Sequence, residues 1–308
     1  MNIILLQLFA CKMNILILLL SLVGLVFIIC CILRLIITIL PRILPVQDLG
    51  AKYQKGYALI TGGTDGIGLQ IALKLIEQGF DVHIVGLKTD KLTQIQLSEN
   101  SKISYCDLSD NSVTSELCQW IETYQPKLLI HAAGFCYPSY FHKISNPHKY
   151  NQAFITSMVD LTASFLKIRK SNGGIIFFSS QVSFFSNPYA SLYAATKAYT
   201  EQFARALAIE YPKLDILVLL PGAVKRTAFF DHFPKFWAFK LIQILGNDVE
   251  SASSVVFRSL GRFSSVDFGF YTYITRIGVG LLDANIVDQT SKYITAPLRP
   301  VFDNANSI

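Results

Sequence analysis

The sequence predicts a doubly wound, parallel α/β sheet with an apolar transmembrane helix at its N-terminus. Three observations carry this expectation. From Gly56 onward, short apolar runs alternate with segments of helical period, the pattern of strands joined by helical crossovers. Polar and glycine residues follow the apolar runs directly, at the carboxyl edge where such sheets bind ligands. Ahead of all this, Asn14 to Leu33 is almost wholly apolar with no charge before Arg34, and about 20 such residues cross a bilayer core as a helix.

The apolar block is too long for the core of a signal peptide and resumes as Leu35 to Leu40. A retained anchor over residues 1–45 is therefore expected, with a cleaved signal or a buried core helix as alternatives. Lys12 precedes the block, while Arg34, Arg42, Lys52 and Lys55 follow it. The positive-inside rule then puts the bulk of the chain in the cytosol, with Lys12 opposing. Pro41, Pro45 and the polar segment to Lys55 read as a linker, bounded as residues 46–55. A single domain takes up 56–308.

Within it, Tyr57–Ile60 reads as a strand and Ile67–Gln78 as a helix. Asp81–Leu87 is a second strand, Lys91–Glu99 a helix, and Ile103–Cys106 a short third strand. Val113–Tyr124 is helical, and Lys127–His131 is a fourth strand. A long helix over Tyr150–Arg169 leads to a fifth strand, Gly174–Phe178. Ser191–Tyr211 is helical, and Leu214–Leu220 is a strand before Pro221-Gly222.

Composition narrows the function. Hydrophobic residues make up 52% and charged residues 16%, and net charge is +6 with no basic run of five. That argues against nucleic-acid binding and suits an anionic membrane surface or cofactor. None of the six cysteines forms a Cys-x-x-Cys pair, so neither a disulfide framework nor a metal site is expected.

Between the first strand and helix lies Thr61-Gly62-Gly63-Thr64-Asp65-Gly66-Ile67-Gly68. Gly62 permits a tight turn, Gly66 lets backbone approach a pyrophosphate, and Gly68 lets helix and strand pack closely. The N–H groups at the helix start then face the phosphates. Downstream, Tyr193 and Lys197 are four apart on one helix face, and Ser180 stands thirteen residues before Tyr193. At the end of the second strand no acid occurs until Asp90. A carboxylate there would bond the 2′-hydroxyl of NAD, whereas Lys88 suits the 2′-phosphate of NADP; its bland reading is a solvated lysine.

The order Thr-Gly-x-x-x-Gly-x-Gly, Ser, Tyr-x-x-x-Lys resembles the short-chain dehydrogenase/reductase family from about Gly56 to Thr227. The resemblance implies a Rossmann-like fold and NADP or NAD as cofactor. It implies Tyr193 as general acid, Lys197 as the ammonium that favours the phenolate and holds the nicotinamide ribose, and Ser180 as the donor to the substrate oxygen. Thr61, Gly62, Thr64, Asp65, Gly66, Ile67 and Gly68 become the phosphate loop. Asp107 and Leu108 border the adenine, although Asp107 also reads as a helix N-cap. Ala133 and Gly134 lie under the cofactor, and Pro221, Gly222 and Thr227 beside the nicotinamide. A homodimer is compatible with the resemblance.

Three departures stand out. Ala132 replaces the usual asparagine of the Asn-Ala-Gly turn. Phe154 falls where the family has a relay asparagine, with Asn151 one turn earlier. Thr227 sits one residue late. They keep open a non-catalytic, cofactor-binding relative.

Thr64-Asp65-Gly66-Ile67-Gly68, Tyr137–Phe141 and Tyr193-Ala-Ala-Thr-Lys197-Ala-Tyr, with the anchor, resemble the membrane-bound 3-oxoacyl-CoA reductases and type-12 17β-hydroxysteroid dehydrogenases. This group's double-asparagine turn is His131-Ala132 here. The likeness implies a hydrophobic ketone as substrate at the endoplasmic reticulum, or at the inner membrane in a bacterium. The reverse reaction, on a retinol or steroid alcohol, uses the same residues. After Pro221, Ala228-Phe229-Phe230, Phe233, Phe236, Trp237, Phe239, Leu241 and Ile242 with Lys235 and Lys240 suit a substrate lid and a helix at a bilayer surface, or a core-packed helix. Phe268–Leu282 either packs on the sheet or lies on the membrane.

Overall fold

A computed structural model describes residues 3–92, 97–169, 171–225, 227–231, 233–234 and 236–303. The chain forms two compact units, Met1–Leu44 and Pro45–Ile308. The first holds a single helix, α1 (Ile3–Ile43), of 41 residues. Its segment Lys12–Ile43 is long and apolar enough to cross a membrane, and none of its most apolar stretch is buried. Pro41, expected in a linker, lies inside the last turn of α1.

The second unit begins with α2 (Leu49–Tyr53), inside the segment read as linker. Asp48 caps it by accepting from the Ala51 N–H at 2.9 Å. Leu49 and Tyr53, one turn apart, are buried. The Tyr53 hydroxyl donates to Asp215 at 2.6 Å, and Lys52 bridges the same carboxylate at 2.9 Å. The polar residues of this segment thus anchor a short helix whose apolar side enters the core.

The remaining elements alternate. They are β1 (Gly56–Thr61), α3 (Gly66–Glu77), β2 (Phe80–Gly86), β3 (Lys102–Tyr105), α4 (Asn111–Tyr124) and β4 (Leu128–His131). Then α5 (Pro147–Asn151) runs through a π-helical turn, Gln152–Thr156, into α6 (Ser157–Ile168). After β5 (Gly174–Phe178) come α7 (Ser191–Glu210), β6 (Asp215–Pro221), α8 (Trp237–Ile244), α9 (Val249–Ser259) and β7 (Ser265–Phe268). The chain closes with α10 (Phe270–Leu281), α11 (Ala284–Thr295) and α12 (Arg299–Asp303). All seven strands are parallel, in the order β3-β2-β1-β4-β5-β6-β7. The order reverses between β1 and β4, which opens a crevice at their carboxyl ends.

One core layer packs α2, α3 and α9 on the sheet through Ile71, Leu75, Phe80 and Phe257. The other packs α4, α6 and α7 through Ile121, Phe165 and Phe177. Both faces are therefore covered, which is why β4 and β5 are buried at every position.

Three expectations change. The helix expected over Lys91–Glu99 is only a 3₁₀ turn, Asp90–Leu92; residues 97–100 are not helical, and 93–96 lie outside the described residues. The long helix begins at Pro147, not Tyr150, with Asn146 as its cap accepting from Lys149 N–H. Phe268–Leu282 divides into the end of β7 and α10. Arg276 on α10 pairs with Asp267 at 2.8 Å and Glu201 at 3.1 Å. That pairing fixes one side of the helix, while Tyr271, Ile274 and Leu281 stay exposed.

His131, at the end of β4, is buried. Its Nε2 lies 3.0 Å from the Thr162 hydroxyl, and its ring stacks on Phe177. Burial pushes its pKa down to about 3. In an unfolded chain histidine titrates near ~6.5. Between these values the unfolded state binds a proton that the folded state refuses, so stability falls as pH drops from about 6.5 to 3. His131→Gln is expected to flatten this decline by up to about 1.4 kcal/mol per pH unit, read from denaturant unfolding at a series of pH values.

Candidate active site

A cleft of about 1680 Å³ runs along the carboxyl edge of the sheet. One end is the bend between β1 and α3. Gly62 and Gly66 there have φ of +67° and +55°, conformations that side chains disfavour. A Cβ at Gly62 would stand 2.4 Å from the Ala133 nitrogen, and one at Gly68 2.2 Å from the Gly62 oxygen. The bend thus packs backbone to backbone on the turn after β4. Asp65 precedes α3 but makes no side-chain bond to its first turn, leaving those N–H groups for an anion. Its carboxylate pairs instead with Lys91 and accepts the Ala228 N–H at 2.9 Å.

Of the expected cofactor residues, Gly62, Thr64, Asp65, Gly66, Ile67, Gly68, Lys88, Asp107, Leu108, Ala133, Gly134, Pro221, Gly222 and Thr227 all line this cleft. Thr61 is the exception among them. It is buried, and its hydroxyl donates to the Ile130 carbonyl at 3.3 Å. Asp107 does not cap α4: Asp110 does, accepting from Ser112 N–H at 2.8 Å, while Asp107 accepts from Ser109 N–H. The Thr227 methyl rests against Gly66, 3.0 Å from where a Cβ would be.

Ser180, Tyr193 and Lys197 meet in the middle of the cleft. Ser180 lies two residues beyond the end of β5, while Tyr193 and Lys197 share the inward face of α7; all three are buried. The Ser180 hydroxyl donates to the Pro221 carbonyl at 3.5 Å. Lys197 Nζ donates to the Phe178 carbonyl at 2.8 Å and lies 5.6 Å from the Tyr193 ring centroid. Burial pushes Lys197 down to about 8.

The sequence led us to expect that Lys197 would lower the Tyr193 pKa. Tyr193 instead moves up, chiefly through burial, with Cys136 and Tyr150 adding and the Ser180 hydroxyl opposing. The phenol is held protonated because desolvation penalises phenolate more than nearby groups relieve it.

Phe154 faces the same space. The π-helical turn carries it, and its ring centroid is 5.1 Å from Lys197 Nζ. Phe135, Tyr150, Phe229 and Phe233 complete an aromatic wall around Tyr193. Phe236, Trp237, Phe239 and Ile242 extend it, as the sequence led us to expect; Lys235 lies outside the described residues. The sequence reading missed Cys136, Gln181 and the C-terminal residues Ile294, Thr295, Pro297, Leu298 and Phe302, all of which line the cleft. Only the apolar spacing of Ile294, Leu298 and Phe302 signalled the last group.

The sequence profile of the short chain dehydrogenase family matches residues 56–235. A very-long-chain 3-oxoacyl-CoA reductase of Anas platyrhynchos is 27% identical over 177 residues, covering 53% of this chain and 57% of that protein. The human 17-beta-hydroxysteroid dehydrogenase type 3 is 29% identical over 199 residues, covering 59% and 63%. The matched region thus spans little more than half of these relatives. A solved 7beta-hydroxysteroid dehydrogenase superposes with a TM-score of 0.68 at 20% identity, covering 81% of this chain and 100% of that one. Serine dehydrogenase complexed with NADP+ gives 0.59 at 22%, covering 69% and 94%. A profile match over more than half of the chain, across the strands and helices that build the cleft, makes this protein a member of the short chain dehydrogenase family.

Proposed function

We propose that this chain is a membrane-anchored, NADP-dependent carbonyl reductase acting on a hydrophobic ketone such as a long-chain 3-oxoacyl-CoA or a steroid. The observation that carries the reading is the convergence of buried Ser180, Tyr193 and Lys197 in one cleft with the glycine bend. The slot fits a nicotinamide dinucleotide. The bend offers backbone without side chains, the first turn of α3 is left uncapped by Asp65, and Lys88 stands exposed at the rim. When bound, the cofactor supplies the hydride.

The chain's own groups then handle the oxygen. Ser180 orients the substrate carbonyl by hydrogen bonding. Tyr193, kept neutral by burial, gives its proton to that oxygen. Lys197, tethered to the Phe178 carbonyl, supplies positive charge beside the phenol as it loses its proton. The aromatic wall of Phe229, Phe233 and Phe239 excludes water and suits an apolar substrate. Relatives named for 3-oxoacyl-CoA and steroid substrates support that class.

Phe154 at the family's asparagine position favours a second reading, a tethered protein that binds cofactor without turnover. Purified, detergent-solubilised protein that oxidises NADPH with 3-oxoacyl-CoA or steroid ketones disposes of it.

Three outcomes are expected. Tyr193→Phe loses turnover by at least ~100-fold, the order of a general acid's contribution, while NADPH fluorescence titration shows unchanged binding; full activity refutes the role. Lys88→Glu lowers kcat/KM for NADPH by ~10-fold or more through charge repulsion with a 2′-phosphate, and leaves NADH turnover near its starting level. Full-length chain partitions with membranes after alkaline carbonate washing, whereas a chain starting at Pro45 is released; release of the full-length chain argues against a spanning α1.

A further inference from the structure

We propose that the C-terminal segment Thr295–Phe302 is the substrate-side wall of the cleft, with Phe302 setting the length of apolar substrate tail that the slot accepts. The proposal rests on the reductase reading. Thr295, Pro297, Leu298 and Phe302 line the same cleft as Tyr193. Phe302 is only 2% exposed, although Arg299, Pro300 and Asp303 around it face solvent. The Phe302 side chain is therefore the segment's apolar anchor.

Its partner is Tyr189. The two rings stack with centroids 4.2 Å apart and an angle of 22° between planes. Tyr189 has φ of +64°, a conformation uncommon for a bulky aromatic residue that persists only where its surroundings hold it. Ser139 N–H donates to its carbonyl at 2.7 Å, and the Tyr140 ring meets it edge-on at 5.2 Å. Tyr189 stands immediately before Ala190, the N-cap of α7, and four residues before Tyr193. The stack therefore ends at the start of the helix that carries the phenol.

Two polar ties secure the same segment. Lys143 Nζ donates to the carbonyls of Phe302 and Asp303 at 2.8 and 2.9 Å. Facing inward, Tyr137, Ile144, Pro188 and Leu298 join Phe302 in the lining. These apolar side chains suit a hydrocarbon tail. Without the Phe302 ring, the wall loses both a lining group and its anchor.

The test uses detergent-solubilised full-length protein carrying Phe302→Ala or Phe302→Tyr. In Phe302→Ala the ratio of kcat/KM for 3-oxohexadecanoyl-CoA to that for 3-oxobutanoyl-CoA is expected to change by ~10-fold or more, the order set by one altered pocket contact. Phe302→Tyr, which keeps the ring, retains the wild-type ratio, and both variants bind NADPH as wild type does. An unchanged ratio in Phe302→Ala, or loss of NADPH binding with it, overturns the proposal. Trypsin cleavage after Lys292 is a second readout, expected to quicken by ~10-fold in Phe302→Ala through local opening. Equal cleavage rates overturn the wall whether or not the enzyme turns over. Wild-type protein inert toward every ketone refutes the reductase reading and the tail-length role together, while the cleavage rates still decide whether Phe302 anchors the segment.

Discussion

The Lys197 ammonium is 5% exposed, and a buried cation costs several kcal/mol unless other groups replace its water. The Phe178 carbonyl does so at 2.8 Å, with the Phe154 and Tyr193 ring faces at 5.1 and 5.6 Å. The backbone of the same residue is pinned too: its carbonyl accepts from the Ser179 hydroxyl at 2.7 Å. The end of β5 and the inner face of α7 are thus locked at both ends of one lysine. What desolvation remains uncompensated lowers Lys197 to about 8 and raises Tyr193. A neutral phenol beside a lysine of reduced basicity is the state that the proposed proton donation requires.

That requirement gives the Phe154 departure a physical sense. An asparagine offers an amide to water; a phenyl ring offers only a face. The face is directed at the one buried cation it can stabilise, and the π-helical turn Gln152–Thr156 carries it there. Around it, Phe135 and Tyr150 pack at 4.6 and 5.7 Å, so the ring belongs to a continuous aromatic wall. The Tyr150 hydroxyl accepts the Tyr137 N–H at 2.8 Å, which satisfies the polar tip of an otherwise apolar cluster.

The sheet through β6 was legible because each strand is a short apolar run beside a segment of helical period. The glycine bend was legible because only glycine readily adopts the φ found at Gly62 and Gly66. The elements missed carry little of either signal. α9 reads Val-Glu-Ser-Ala-Ser-Ser before its first apolar pair, yet Ala252 and Ser253 are fully buried because small residues let it pack closely on α3. β7 has four residues, and α2 has two apolar positions in five. At the site, residue types and spacing singled out Ser180, Tyr193 and Lys197, which the fold brings into one cleft. The sign of the Tyr193 shift was illegible, because it depends on how deeply α7 is buried, a property of the whole fold. That Thr61 lies outside the cleft lining was illegible for a similar reason: its hydroxyl finds the Ile130 carbonyl of the neighbouring strand.

Asp65 poses the remaining electrostatic question, since a carboxylate in a phosphate loop repels the anion the loop is proposed to hold. Its contacts resolve the conflict. Lys91, following β2, pairs with the carboxylate and offsets its charge. The Ala228 N–H, following β6, takes another share at 2.9 Å. The acid is thereby occupied away from the first turn of α3, and the N–H groups there keep their positive end of the helix dipole for a phosphate. The same two bonds tie the loops after β2 and β6 to the bend after β1. An acid that looks misplaced in the linear sequence therefore acts as the joint between the loops that follow β1, β2 and β6.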